Sequence, residues 1–447
     1  MANGEPEVLQ QAARLRADGA RLLVGMISDT GGVLRAKSVP AARIESFATN
    51  GMGASPSWAV FCVDNHVAFT PEIGVVGDVR LVADLAAARV LDDGFAVAPA
   101  DVRTQDGERS GLCWRDVARR AEGQLADRGI QVLAGYEMEF ILTDLAGDRL
   151  GELGWPAYGL GVLSELSGFA TDVAEALAAA GCPAEQLHAE YGIGQFELSL
   201  PPAPPVAAAD AVLLARAVIS RVARKYGLRP SFSPKPFADS SGNGAHLHLS
   251  FTADGQPLLS AGDGPAQLTE TGGQLIAGLV DGLGETIAVL AGSAVSSDRL
   301  QPGQWSGAYS CWGVENREAA VRLLAATHGN PHGANVEIKC IDAAANPYLA
   351  VGLMLGLAND GVARQLALPL AVDADPTALD PDQARAAQVR RLPATMAQAL
   401  QLFADSARVR QILGPQLHSA VVAVREHELT LDELPDRFRT TRFAWSG

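Results

Sequence analysis

Glu137 and Glu139 stand two residues apart in the run from Leu133 to Phe140. Side chains of a strand alternate between faces, so the two carboxylates share one face while Tyr136, Met138 and Phe140 share the other. Neighbouring carboxylates repel unless a cation lies between them or one is protonated. Taken alone, the pair reads as a solvated strand face. Three further segments change that reading. In His188–Glu197, Gly192 and Gly194 allow a tight bend that can aim Glu190 and Glu197 at one point. In Asn243–Ser250, His246, His248 and Ser250 share one strand face, with Leu247 and Leu249 on the other. In Asn335–Cys340, Glu337 and Lys339 lie opposite Val336, Ile338 and Cys340. Arg299, Arg317 and Arg322 complete the set, and Arg322 sits in an apolar run where a guanidinium needs a partner.

Oxygen-rich ligation with one imidazole suits Mg²⁺ or Mn²⁺ better than zinc. Arginines beside such ions suit phosphate, so the expected chemistry is metal-assisted phosphoryl transfer from a nucleotide. Neither a G-x-x-x-x-G-K-[ST] loop nor a G-x-G-x-x-G turn is present, so the nucleotide is held in some other way.

The elements that must position these residues follow from pattern and punctuation. Pro6–Gly19 reads as a helix, Arg21–Ser28 and Val33–Val39 as a hairpin around Asp29-Thr30-Gly31-Gly32. Trp58–Phe69 and Val75–Val90 look extended. A polar stretch, Ala100–Ser110, is the expected boundary between a small sheet domain, residues 1–105, and a second domain, residues 106–447. In the second, Trp114–Arg128 and Ser164–Ala180 have helical spacing, and His188–Leu200 is extended. The prolines from Pro201 to Pro205 form a connector, after which Asp210 is a plausible N-cap of a helix ending at Gly227. Leu275–Leu290 and Asn346–Leu366 look like buried helices, and Pro381–Leu413 and Pro415–Glu428 are helical.

Composition excludes several classes. With 35 basic and 51 acidic residues the formal net charge is −16, and no dense Lys/Arg run occurs. Nucleic acid and anionic membrane surfaces are not expected partners. Apolar runs are interrupted before membrane-spanning length, and the polar, acidic N-terminus lacks a signal-peptide pattern. Five scattered cysteines without a C-x-x-C pair read as reduced thiols of a cytoplasmic protein.

Together these motifs resemble the glutamine synthetase family over nearly the whole chain. The resemblance rests on the Asp29–Gly32 turn, Glu137-x-Glu139, His188-x-Glu190 with Gly194-Gln195-x-Glu197, and Lys225-Tyr226-Gly227 followed by Lys235-Pro236. It continues through Asn243-Gly244-x-His246-x-His248, Asn316-Arg317 with Arg322, and Ala345-Asn346-Pro347-Tyr348-Leu349. It implies an α+β fold: an N-terminal β-grasp domain, then a catalytic domain whose curved antiparallel sheet is flanked by helices. It also implies homo-oligomers of stacked hexameric rings with sites shared between subunits. Glu139, Glu190 and Glu197 match the ligands of one metal ion, and Glu137, His246 and Glu337 those of a second. Asn243, Gly244, Arg299 and Lys339 match acid-substrate positions, and Ser55 falls in the loop that serves the amine. His248, Ser250, Arg322 and Lys235 fall in the nucleotide region, and Arg317, Arg299 and Trp305 at catalytic positions. The implied substrates are ATP, glutamate and an amine, with two or more Mg²⁺ or Mn²⁺ ions per site.

Three departures narrow the expectation. Where ammonium-using members end their flap in P-G-Y-E, this chain has Pro302-Gly303-Gln304-Trp305. The N-terminal loop that supplies an Asp in those members reads Gly53-Ala54-Ser55-Pro56-Ser57-Trp58. The family's E-x-R is Glu337-Ile338-Lys339. A Trp at the flap is similar to ligases that use organic amines. The expectation is therefore ligation of the γ-carboxyl of glutamate to an organic amine. The alternatives are an ordinary glutamine synthetase, a catalytically silent oligomer, and a ligase for another acid.

Overall fold

The computed structural model describes residues 5–151 and 155–431 together with Thr440 and Trp445. The ends of both expected domains, residues 1–4 and most of 432–447, and residues 152–154, lie outside the described set. Helix α1 (Glu5–Ala17), which packs against α2 (Ile44–Thr49), precedes a first sheet of β1 (Leu22–Ser28), β2 (Leu34–Pro40), β3 (Met52–Ala54), β4 (Val79–Ala83), β5 (Arg89–Val90) and β6 (Phe95–Arg103). The order is β2-β1-β6-β4-β3; β1 and β6 run parallel and β5 pairs with β6. The hairpin expected around Asp29–Gly32 is present as β1 and β2.

Next come α3 (Trp114–Ala126), β7 (Ile130–Asp144), α4 (Leu160–Glu165), α5 (Ser167–Ala179), β8 (Gln186–Ala189), β9 (Gln195–Ser199), α6 (Pro205–Lys225), β10 (Leu228–Ser231), β11 (Ala245–Ala253) and β12 (Gln256–Pro257). They are followed by α7 (Glu270–Gly282), α8 (Ile287–Leu290), α9 (Ser296–Arg299), β13 (Tyr309–Val314), β14 (Ala319–Leu324), β15 (Asn335–Ile338) and α10 (Pro347–Ala363). Last are α11 (Pro381–Ala386), β16 (Arg390–Arg391), α12 (Met396–Asp405), α13 (Ala407–Leu413) and α14 (Pro415–Leu429). The second sheet has the order β16-β13-β14-β15-β11-β7-β9-β8 and is antiparallel except between β13 and β14. Its long strand β7 pairs with β11 along its first part, and with β9 and β10 along its second.

The two sheets are locked through their polar groups. Asn346 caps α10 by accepting from the N–H groups of Tyr348 and Leu349, and its Nδ2 donates to the carbonyls of Ser28 and Asp29. Gly32, at φ +88°, lies where a Cβ would come 1.8 Å from the Ala344 carbonyl oxygen, so only glycine fits the turn. Arg115 of α3 is 5% exposed and makes a bidentate pair with Asp210 of α6, at 2.9 and 2.7 Å. It also reaches Asp84 at 2.9 Å and Asp101 at 3.2 Å in the first sheet.

Several sequence expectations are corrected. Asp210 is not an N-cap: α6 starts at Pro205, whose missing N–H costs nothing in a first turn, and Asp210 is a helix-interior partner of Arg115. Trp58–Phe69 is a 3₁₀ turn (Pro56–Ala59) and a loop closed by one bridge, Phe61 to Val67. Val75 and Val76 are exposed loop residues before β4 begins at Val79. Pro381–Leu413 is three helices, divided by β16 and by Ser406, which caps α13 through the Val409 N–H. The stretch Glu270–Leu290 is long and apolar enough to cross a membrane, yet 78% of its most apolar window is buried in the protein, and a 3₁₀ turn divides it.

Removing one member of a buried, paired ion network leaves the others uncompensated, at a cost of about 3–5 kcal/mol. Arg115→Ala, which strands Asp84, Asp101 and Asp210, is expected to lose stability of that order in urea unfolding. A loss below about 1 kcal/mol would show that the network does not hold the two sheets together.

Candidate active site

Strand register assembles the site. Across β8, β9 and β7, His188 is opposite Glu197, and Glu197 is opposite Glu139. Across β7, β11, β15 and β14, Glu137 is opposite His246, His248 opposite Glu337, and Glu337 opposite Arg322. Directly opposed residues on one face place their side chains together. The result is a continuous row of ionisable groups over six strands, made from residues up to 200 positions apart (137 to 337).

The row has two ends of different character. At one end, ligand atoms of Glu139, Glu190 and Glu197 lie within 4.8 Å of one another. Burial, with the charge of Glu197 beside it, raises Glu139 to about 7, and the same two causes raise Glu190. Glu139 is fixed by N–H donors: Gly244 at 2.8 Å and Gln195 Nε2 at 3.0 Å. Gln195 Nε2 also donates to the Gly242 carbonyl and to Asn243 Oδ1. His188 Nε2 is 3.3 Å from Glu197, and that bond raises the imidazole to about 9.

At the other end the carboxylates already have cationic partners. His246 Nδ1 is 3.1 Å from both Glu137 and Glu337, and His248 Nε2 is 3.5 Å from Glu137. Burial opposes their ionisation, but His246 and His248 bring Glu137 far below the usual carboxylate range. Glu337, 2% exposed, is lowered to about 2 against its burial by His246, Lys339, His248 and Arg322. Arg322 donates to Glu337 at 3.1 Å and to Glu315 at 2.7 Å, and Lys339 Nζ to Glu337 at 3.3 Å.

This donor set fits hard divalent cations. The Glu139, Glu190 and Glu197 end offers clustered carboxylate oxygens whose mutual repulsion a cation relieves, and the Glu137, His246 and Glu337 end adds one imidazole nitrogen. A Cβ on Gly244 would lie 3.2 Å from both Arg299 Nη1 and His246 Nε2 and 3.6 Å from Glu139, so the glycine keeps the space between them open.

The remaining expected residues are placed as follows. Arg299 is buried; its Nε and Nη2 bind Asp342 and the Ile341 carbonyl, while Nη1 lies beside Gly244. Asn243 is fully buried, and its side chain is engaged by the Ser231 and Ser233 carbonyls and Gln195, so it shapes the loop before Gly244. Arg317 is exposed at the turn between β13 and β14, and Ser250 is on the same face of β11 as His246 and His248. Lys235 keeps other company: its Nζ donates to the Ser240 carbonyl, and its charged neighbours are Asp298 and Asp239. Ser55 caps the 3₁₀ turn by accepting from Ser57. Trp305 is 55% exposed. Sequence reasoning did not nominate His188, Gln195 or Glu315. His188 and Gln195 flank the two glycines of the β8–β9 hairpin, and the hairpin register was the signal that could have paired His188 with Glu197.

The sequence pattern of the glutamine synthetase catalytic domain matches residues 111–442. A gamma-glutamylpolyamine synthetase of Streptomyces coelicolor is 38% identical, covering 99% of this chain and 98% of its own. The chain belongs to the glutamine synthetase family. It is a glutamine synthetase-type ligase, and the α+β architecture with a curled sheet agrees with the expectation. A glutamine synthetase of Pyrococcus abyssi is 30% identical, over 69% of this chain and 70% of that one. Among solved structures, a crystal structure of a glutamine synthase homolog superposes with a TM-score of 0.85 at 32% identity, covering 95% of this chain and 98% of that one. An ADP complex of GmaS shares the fold at a TM-score of 0.84 and 24% identity, with 99% of each chain covered.

The raised His188 provides a readout of cation binding. Without divalent metal it is expected to titrate near 9. Saturating Mg²⁺ draws on the Glu197 charge, so the histidine should move down towards its ordinary value of about 6.5. Histidine NMR titration, assigned with His188→Gln, measures this; an unmoved titration would place the cation away from Glu197.

Proposed function

We propose that this enzyme joins the γ-carboxyl of glutamate to an organic amine, with ATP converted to ADP and phosphate through an acyl phosphate. The observation that carries the amine is the loop residue Trp305, an exposed indole where ammonium-using members of the resembling family have a flap glutamate. The similarity to a gamma-glutamylpolyamine synthetase over 99% of this chain supports it.

In this reading Glu139, Glu190 and Glu197 hold one divalent ion and Glu137, His246 and Glu337 another. When bound, these ions supply charge neutralisation for the ATP phosphates. Arg299, with Nη1 beside Gly244, and Lys339 hold the acid substrate at the Gly244 gap. Arg322, pinned between Glu337 and Glu315, and Arg317 face the transferring phosphoryl group, whose negative charge they stabilise. A carboxylate oxygen of glutamate attacks the terminal phosphorus and ADP leaves. The amine nitrogen then attacks the acyl carbon, phosphate leaves, and the nitrogen loses a proton. His248 and Ser250 belong to the nucleotide side. Residues 1–105 form a β-grasp domain and 106–447 the catalytic domain. Ser55 contributes across a subunit boundary in stacked hexameric rings. The five free, buried cysteines fit a reducing cytoplasm.

An ammonium site needs negative charge to hold a small hydrated cation. An indole instead packs on methylenes and attracts a cationic group by ~0.5–2 kcal/mol. Each buried methylene adds ~0.8 kcal/mol, about fourfold, so an amine burying two or more should exceed ammonium in kcat/KM by roughly tenfold or more. Competition of ammonium against ethanolamine, alkylamines and polyamines at equal free base, followed by phosphate release with glutamate present, decides this. Ammonium winning clearly would restore plain glutamine synthetase. Trp305→Glu should move preference towards ammonium. Glu139→Ala should lower turnover by at least ~10–100-fold at modest Mg²⁺, the range seen for losing mere support of a ligand.

A further inference from the structure

Segment 301–307 has Gly303, Trp305 and Gly307 all at positive φ, of 74°, 52° and 72°. For a bulky residue such as Trp305 the left-handed region is disfavoured, and it persists only where surrounding groups hold it. Glu318 is the holder. Its side chain is buried, 8% exposed as a residue, and its two carboxylate oxygens accept from the N–H of Trp305 at 3.0 Å and of Gly303 at 3.3 Å. Hydrogen bonds to an ionised acceptor are the strong ones.

The base of this contact is itself fixed. Glu318 N–H donates to Asn316 Oδ1 at 3.0 Å, and Asn316 Nδ2 donates to the carbonyls of Val372 and Ala374. Arg317 stands between these two anchored residues. On the far side of the loop, Ser306 donates to the Gln301 carbonyl, and Gly307 is so close to β14 and β15 that a Cβ would lie 2.9 Å from Lys339 Cβ.

We propose that Glu318 is a positioning residue, a strut that ties the 301–307 loop to the Arg317 turn and holds Trp305 in place before the amine enters. This rests on the reading of Trp305 as the amine-facing side chain. The strut fixes the backbone while leaving the indole exposed, so the amine meets a preformed surface and does not have to order a mobile loop.

The test uses Glu318→Gln and Glu318→Ala in the full-length protein. Gln keeps the shape but offers one acceptor oxygen, so it should fold even if Ala does not. Limited proteolysis, read by mass spectrometry, should show cleavage within 301–307 accelerated by about tenfold in Ala and less in Gln, as expected when a loop loses its tether. KM for the amine should rise about fivefold or more while KM for ATP stays within about twofold. On a Trp305→Ala background, Glu318→Gln should change the amine KM by less than about twofold, because the strut acts through Trp305. Unchanged cleavage in both variants overturns the strut, and so does an equal effect on the amine KM in both backgrounds. If Trp305→Ala alone leaves the amine KM unchanged, the amine-facing reading fails, and the strut is then judged on cleavage alone.

Discussion

Like charges in a poorly solvated place set the terms for this protein. Two unit charges about 4 Å apart interact by about 4 kcal/mol at an effective dielectric of 20. Ligand atoms of Glu139, Glu190 and Glu197 lie within 4.8 Å of one another, and burial together with the Glu197 charge raises the proton affinity of Glu139 and Glu190. The fold resists separation of Glu139 and Glu197 by strand register, which no single side chain can relax, and the bend between β8 and β9 brings Glu190 to them. Glu139 is further restrained by the Gly244 and Gln195 donors, and the opposite end of the row is balanced by Arg322 and Lys339. The row thus grades from clustered carboxylates at one end to carboxylates paired with basic side chains at the other.

Holding that row requires the second sheet to be rigid against the rest of the chain. Arg115 of α3 joins Asp84 and Asp101 on the side of the first sheet to Asp210 of α6, and Asn346 serves at once as helix cap and as clamp on the Ser28–Asp29 turn. Gly32 is accepted only as glycine because the Ala344 carbonyl fills the space beyond it. These contacts use polar groups that the elements must satisfy anyway, so docking and capping are one set of hydrogen bonds.

Much of this was legible in the chain. The alternation of Tyr136, Glu137, Met138, Glu139 and Phe140 states which face each side chain takes, and the structure places them so in β7. His246 and His248 followed by the same rule. Which strand lies beside which was not legible from alternation, because pairing is a long-range choice; the order of motifs carried it only through family resemblance. His188 went unnominated because its significance depends on the register with Glu197. Asp210 was misread for a related reason: a helix start is a local signal that Pro204 and Pro205 satisfied first, whereas the pairing of Asp210 with Arg115 is 95 residues away in sequence. Asn243 matches an acid-substrate position through the resemblance, and its buried amide donates to the Ser231 and Ser233 carbonyls.

The cross-strand row has a thermodynamic consequence. Its donors come from strands β7, β9, β11 and β15 and the bend before β9, and they converge only when the whole sheet has closed. An unfolded chain presents these carboxylates singly, far apart and well hydrated. Any divalent ion that binds the row therefore discriminates between folded and unfolded chain, and it raises the melting temperature in proportion to the logarithm of its concentration. For such an ion, occupancy of the site and integrity of the sheet are a single linked equilibrium.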